Sequence, residues 1–97
     1  MGKYVLAYKG GGMPETEEEQ KQVMDAWMAW FGGLGDSVVD VGNPFGPSAA
    51  LGADSASGLT GYSIVNASSM DEALAKAGGC PNLAAGGSVE VYETIDM

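Results

Sequence analysis

A chain of 97 residues, 45% hydrophobic and 18% charged, has room for one globular domain, residues 1–97, with a modest core. Four lysines, no arginine and 13 acids leave a net charge of −9, which argues against nucleic acid and anionic membranes as partners because both need clustered cations. No apolar run approaches the roughly 20 residues of a bilayer crossing, and a single cysteine, Cys80, excludes an internal disulfide and fits a reducing, cytoplasmic setting.

The stretch "KYVLAYK" (Lys3–Lys9) is aromatic and β-branched and runs into "GGG", so it reads as a strand. Alternation puts Tyr4, Leu6 and Tyr8 on one face and Val5 and Ala7 on the other. Both faces are apolar, as in a strand covered on two sides. Next, "MPETEEEQKQVMDAWMAWFGGLG" predicts a helix. Thr16 and Glu19 form a capping box, and Glu15, Glu17 and Glu18 suit the positive end of the helix dipole. Val23, Trp27, Trp30, Phe31 and Leu34 recur at three- and four-residue steps, which makes one apolar face, and Gly32 and Gly33 are the expected stop.

A second strand is expected over Asp36–Gly42, with Val39 and Val41 opposite Val38 and Asp40. Pro47–Gly58 is small and polar, a hairpin extension or a surface excursion. Leu59–Ala67 reads as a third strand. A short second helix follows in "SSMDEALAKAGGCP", capped near Ser68 or Ser69, with Met70, Ala73, Leu74 and Ala77 inward. Gly78 or Gly79 is expected to end it, and Pro81 to prevent its resumption. "GSVEVYETIDM" is the last strand, with Val89 and Val91 on one face and Glu90 and Tyr92 on the other.

The order β-α-β-β-α-β predicts a ferredoxin-like α+β fold, a four-stranded antiparallel sheet with two helices on one face. The second face of that sheet is apolar too, because Val5 and Ala7 lie opposite Tyr4 and Leu6, and Tyr62 and Ile64 oppose Val65. With no chain left to cover it, a homodimer through the sheet faces is the expected assembly.

Taken in order, "KYVLAYKGGG", "AWMAWFGGLGDSVVDVGNPFG", "TGYSIVNASSMDEALAKAGGCP" and "GSVEVYE" resemble the YCII-related (DGPF-domain) proteins over essentially the whole chain. These are small bacterial proteins of the dimeric α+β barrel superfamily. The resemblance implies a ferredoxin-like subunit that pairs through its sheets. It implies little about activity, because most members have no established biochemical function, although the wider superfamily includes lactone isomerases and a dehydrochlorinase. A His-Asp pair has been proposed as catalytic in the YCII branch. This chain has no histidine, so that pair does not carry over.

The residues themselves offer few chemical groups. "DVGNPFGPS" (Asp40–Ser48) lacks the lysine and following helix of a phosphate loop, and reads as a corner in which Gly42, Asn43 and Pro44 end the strand. Phe45 is thrown off it, either into a pocket or across a subunit boundary. Asp40 is the most interesting acid: facing a cavity it would serve as a general base, and at an edge it would pair with a lysine or a backbone donor. Tyr4, Lys9, Asn43, Phe45 and Tyr92 are ligand-pocket candidates, with Glu90 and Glu93 further along the last strand. Trp27 and Trp30 have the spacing of a packed helix face. Helical glutamates diverge, and zinc needs His and Cys in number, so neither a metal nor another cofactor is expected. Cys80 has the surroundings of a structural thiol.

Two functions of different class follow. The first is a binding or accessory/regulatory module with a small cavity between sheet and partner and a charge suited to a basic protein. The alternative is a small-molecule isomerase, lyase or hydrolase that uses Asp40 with Tyr8 or Tyr62. The lack of histidine and of a convergent acid-base pair favours the first.

Overall fold

The first strand, β1 (Gly2–Lys9), lies at the centre of the sheet in a computed structural model that describes residues 2–11 and 14–96. Met1, Gly12, Met13 and Met97 lie outside those residues, and with them the head of the "MPETEEE" stretch and the last residue of "GSVEVYETIDM", in which the strand ends at Glu93. Three further strands, β2 (Val38–Asp40), β3 (Leu59–Ala67) and β4 (Ser88–Glu93), complete an antiparallel sheet in the order β2-β3-β1-β4. Leu6 stands opposite Ser63 on β3 and opposite Val91 on β4. The helices are α1 (Glu17–Leu34), α2 (Met70–Ala77) and a single turn, α3 (Pro81–Ala84). This is the ferredoxin-like arrangement, with one added turn.

One face of the central strands forms the core. Tyr4, Leu6 and Tyr8 of β1 join Val65 and Ala67 of β3, Ala73 and Ala77 of α2, and Cys80. Trp27, Trp30, Leu34, Met70, Val89 and Val91 pack around them, half buried. The indole N–H of Trp30 donates to the Lys76 carbonyl at 3.1 Å, which fastens the second half of α1 to the end of α2. Ser69 caps α2 by accepting from the Glu72 N–H. Leu74 was expected inward but is exposed, because the small residues Ala73 and Ala77 already fill the α2 contact.

Three further departures have physical causes. First, α1 does not stop at Gly32 and Gly33. It passes through them and ends at Gly35, whose φ of +55° breaks the helical path. Glycine costs a helix only about 1 kcal/mol, and these two are bracketed by Trp30, Phe31 and Leu34, which hold the helix by packing. Second, β2 is three residues long instead of seven. A bulge between Val38 and Asp40 breaks its register with β3, and pairing returns only at the isolated bridge from Pro44 to Gly61. Third, Pro81 opens a helical turn where an end was expected. Proline suits the first helical position, where its missing N–H would have no partner.

Leu6 has no exposed surface, so Leu6→Ala is expected to destabilise the fold by about 2–5 kcal/mol through cavity formation. By contrast, a methyl group at Gly33 meets no atom within 4 Å, so Gly33→Ala is expected to stabilise α1 by about 0.5–1 kcal/mol. Chemical denaturation of the two variants checks both directions.

Candidate ligand cavity

Helix α1 has no fully buried residue, although its apolar face is turned toward the sheet. The reason lies in the floor beneath it. Gly61 and Ser63 of β3 are small where a core strand would ordinarily carry bulk. The Tyr8 ring lies against Gly61, where an added side chain would touch it at 3.6 Å. A partly open cavity of about 500 Å³ results, between α1, the ends of β1 and β3, the Val41–Pro44 corner and α3. That volume lies within the range of small-molecule sites, about 300–1,000 Å³.

Its upper wall is Val23, Trp27 and Phe31 of α1. Tyr8 meets Trp27 edge to face at 5.0 Å, and Trp27 and Phe31 lie 6.0 Å apart, so the aromatic wall is continuous. On the floor, the Tyr8 hydroxyl donates to Ser63 Oγ at 2.7 Å, and Ser63 Oγ donates to the Val41 carbonyl at 2.6 Å. Burial pushes the Tyr8 phenol up to about 12, against the smaller opposing effect of its bond to Ser63. It is therefore neutral at any physiological pH.

At the far end, Asn82 of α3 laces two strands together. Its amide nitrogen donates to the carbonyls of Lys9, at 3.2 Å, and Ser88, at 2.9 Å. Among the described residues, no charged side chain lines the cavity.

Among the sequence candidates, Tyr8, Asn43 and Tyr62 line this cavity. The others lie elsewhere. Asp40 is exposed, and its carboxylate accepts the Gly42 N–H at 2.8 Å, an Asx-type turn that shapes the corner. The corner needs glycine at position 42, where φ is +77° and a Cβ would strike the Tyr62 carbonyl. Phe45 stacks on Tyr62 at 5.7 Å and remains half exposed. Tyr4 is in the core, its hydroxyl pushed up by burial and then by Glu93 and Glu72. Lys9 is exposed and offers the cavity region only its carbonyl, to Asn82. Tyr92 is exposed and donates to Glu90 at 3.0 Å; that bond and the Glu90 charge push its phenol up. Cys80 is buried beside α3, and burial pushes its thiol up.

Ser63, Asn82, Val23 and Phe31 were not singled out as site residues. For Asn82 a signal existed, since Pro81 at a first helical position implies a turn that presents the next side chain. For Ser63 the hint was a serine at an inward parity of an otherwise apolar strand. Among the described residues, no cluster of His, Cys, Asp and Glu could hold a metal ion, and no helix is long and apolar enough to cross a membrane.

A ferredoxin-like α+β domain with an uncharged, aromatic-walled cavity on its helix side is the class that fold and site define. Residues 3–97 match the YCII-related domain, and the chain belongs to that family. No curated protein matches it. Among solved structures, it is similar to the 5-chloro-2-hydroxyhydroquinone dehydrochlorinase (TftG) of Burkholderia phenoliruptrix AC1100 in complex with 2,5-dihydroxybenzoquinone. The likeness has a TM-score of 0.59 and 22% sequence identity, covering 97% of this chain and 95% of that one. At this identity the likeness shows a shared fold.

The Tyr8 phenol has a pH consequence with a definite sign. Its folded pKa lies above the ordinary 10, so the neutral form contributes stability that is present below pH 10 and lost as pH rises through about 12. Thermal melts between those values should show the wild type losing stability more steeply than Tyr8→Phe, while the two curves run parallel near neutrality.

Proposed function

We propose that this YCII-related chain is a small-molecule-binding module and that its ligand is an uncharged, flat, ring-bearing molecule held under Trp27 and Phe31. The observation that carries the reading is the cavity itself: about 500 Å³, aromatic above, with neutral polar groups on its floor. A charged ligand would lose its hydration there without a counter-charge among the described lining residues. A dihydroxylated quinone ring is what the similar dehydrochlorinase holds, and a molecule of that shape suits the wall described here.

Binding is favoured over turnover by the nature of the lining. Its described residues include no carboxylate, amine, imidazole or thiol to move a proton near neutral pH, and Tyr8 with a pKa of about 12 is a poor base. Asp40, the base of an isomerase, lyase or hydrolase reading, is engaged at the corner instead. The dehydrochlorinase neighbour keeps that second reading in view, and consumption of a bound ligand would establish it.

The module works as a homodimer through its open sheet face, where Val5, Ala7, Tyr62, Ile64 and Tyr92 alternate outward from the core residues. The cavity lies within one chain, on the helix side of the sheet, and borders the open face at Tyr62. One buried thiol suits a cytoplasmic setting.

Trp27 reports on the ligand and sedimentation on the dimer. Titration with a panel of neutral bicyclic aromatics should change tryptophan fluorescence saturably, and Val23→Trp, which fills the cavity from α1, should weaken binding at least about tenfold. Binding undiminished in that variant, or no response to any compound up to millimolar concentration, would refute the ligand site. Sedimentation should give twice the 9.9 kDa chain mass, and Ile64→Asp should shift it to one chain with the helical circular dichroism retained. A wild-type monomer at micromolar concentration would refute the dimer.

A further inference from the structure

This inference rests on the cavity being a ligand site and goes beyond it, to the chemical groups that the ligand must carry. We infer that the buried floor of the cavity, formed by Tyr8, Ser63 and Asn82, offers its occupant hydrogen-bond acceptors alone, so that a ring turning O–H or N–H groups to this floor is selected over the same ring with those groups capped.

The argument is a proton count that starts at the Val41 carbonyl. A carbonyl oxygen has no proton to give, and Ser63 Oγ stands 2.6 Å from it, so the single Ser63 proton must lie between them. Reversing the serine would set two acceptors against each other at hydrogen-bond distance. With its proton committed, Ser63 can only accept from Tyr8, whose Oη lies 2.7 Å away. The Tyr8 proton is then committed as well, and its oxygen retains lone-pair capacity and no donor. Both residues line the cavity and both are more than nine-tenths buried.

Of the other polar groups, Thr60 and Asn82 follow the same rule, while the half-buried Trp27 and Tyr62 keep their donors at the wall and edge, away from the floor. Thr60 spends its hydroxyl proton on the Tyr8 carbonyl at 3.3 Å. Asn82, 8% exposed, spends both amide protons on Lys9 and Ser88, which also fixes which end of its amide is oxygen. Its Oδ1 accepts from none of the described residues and points toward Gly11, where a Cβ would collide with it. Gly11 belongs to the cavity wall as well. Asn43, the remaining amide in the lining, is exposed at the rim.

An occupant with an O–H or N–H therefore completes the network. An occupant that presents an ether, a ketone or a carboxylate leaves buried oxygens facing oxygens, a costly arrangement in a site of low polarity. The raised Tyr8 pKa keeps this polarity constant across physiological pH.

Calorimetric titration with 2-naphthol, 2-methoxynaphthalene and naphthalene tests the inference on the unaltered protein. The naphthol is expected to bind at least about tenfold tighter than the ether, and the ether no tighter than naphthalene. Equal affinity for naphthol and ether, or preference for the ether, overturns the inference while leaving the ligand site standing. If none of the three binds up to millimolar concentration, the ligand-site reading falls and this inference falls with it. Two variants locate the effect. Ser63→Ala frees the Tyr8 proton to serve an ether and should bring the preference below about threefold. Tyr8→Phe leaves the Ser63 proton on the Val41 carbonyl and frees a Ser63 lone pair, so the preference should persist, with folding of each variant followed by circular dichroism. A full tenfold preference retained in folded Ser63→Ala overturns the assignment to this chain of hydroxyls.

Discussion

Tyr8 on β1, Ser63 on β3 and the carbonyl of Val41 beyond β2 are joined by two consecutive hydrogen bonds, and the shape of this end of the molecule depends on them. Without that link the corner after β2 would hang from two paired residues, Val38 and Asp40, and one isolated bridge. With it, the corner is drawn onto the sheet, close enough that position 42 admits no side chain. Ser63 is fully buried, yet it leaves no buried polar atom without a partner among the described residues. Buried hydroxyls that are fully satisfied in this way fix a single arrangement, because any slip of register would strand at least one of them.

The same constraint explains why a helix with two tryptophans contributes no fully buried residue. Tyr8 reaches across to Ser63, passing Gly61, whose lack of a side chain leaves room chiefly for the Asn43 and Pro44 backbone of the corner. Trp27 then rests edge-on against Tyr8 at 5.0 Å. Nearly one turn further on, Trp30 reaches the Lys76 carbonyl and lies against Gly79. The cavity lies between the aromatic rings of α1 on one side and the small residues Gly61 and Ser63 on the other.

How much of this could be read in the residues follows from which forces act locally. The four longest elements, α1, β3, β1 and α2, were legible in kind and order, and β3 falls on the expected Leu59–Ala67, because periodicity and caps act over a few residues. The bulge in β2 was not legible. It depends on pairing with β3, some two dozen positions away, and on Asp40 turning back to Gly42. Gly32 and Gly33 misled for a related reason, since local propensity names them as breakers while tertiary packing of their neighbours carries the helix through. The site was the least legible part. Tyr8, Asn43 and Tyr62 were named for being polar or aromatic near a corner, whereas Ser63 and Asn82 acquire meaning only once the fold sets the partner carbonyls in place. Asp40 drew notice as a carboxylate in a strand, and the broken register turned it outward.

One strand serves both surfaces of interest. Along β3, Gly61, Ser63 and Val65 face the helices, while Tyr62, Ile64 and Asn66 face the open side. A strand has period two, so no displacement of one set is free of the other. Filling the cavity presses on Ser63 and Gly61, and the proposed partner presses on Tyr62 and Ile64 from behind. Tyr62 is also stacked against Phe45, the residue just past the corner whose carbonyl at Val41 terminates the hydroxyl chain. The corner that closes the hydroxyl chain and the face opposite the helices are thus joined through Tyr62, against which the half-exposed Phe45 ring is stacked.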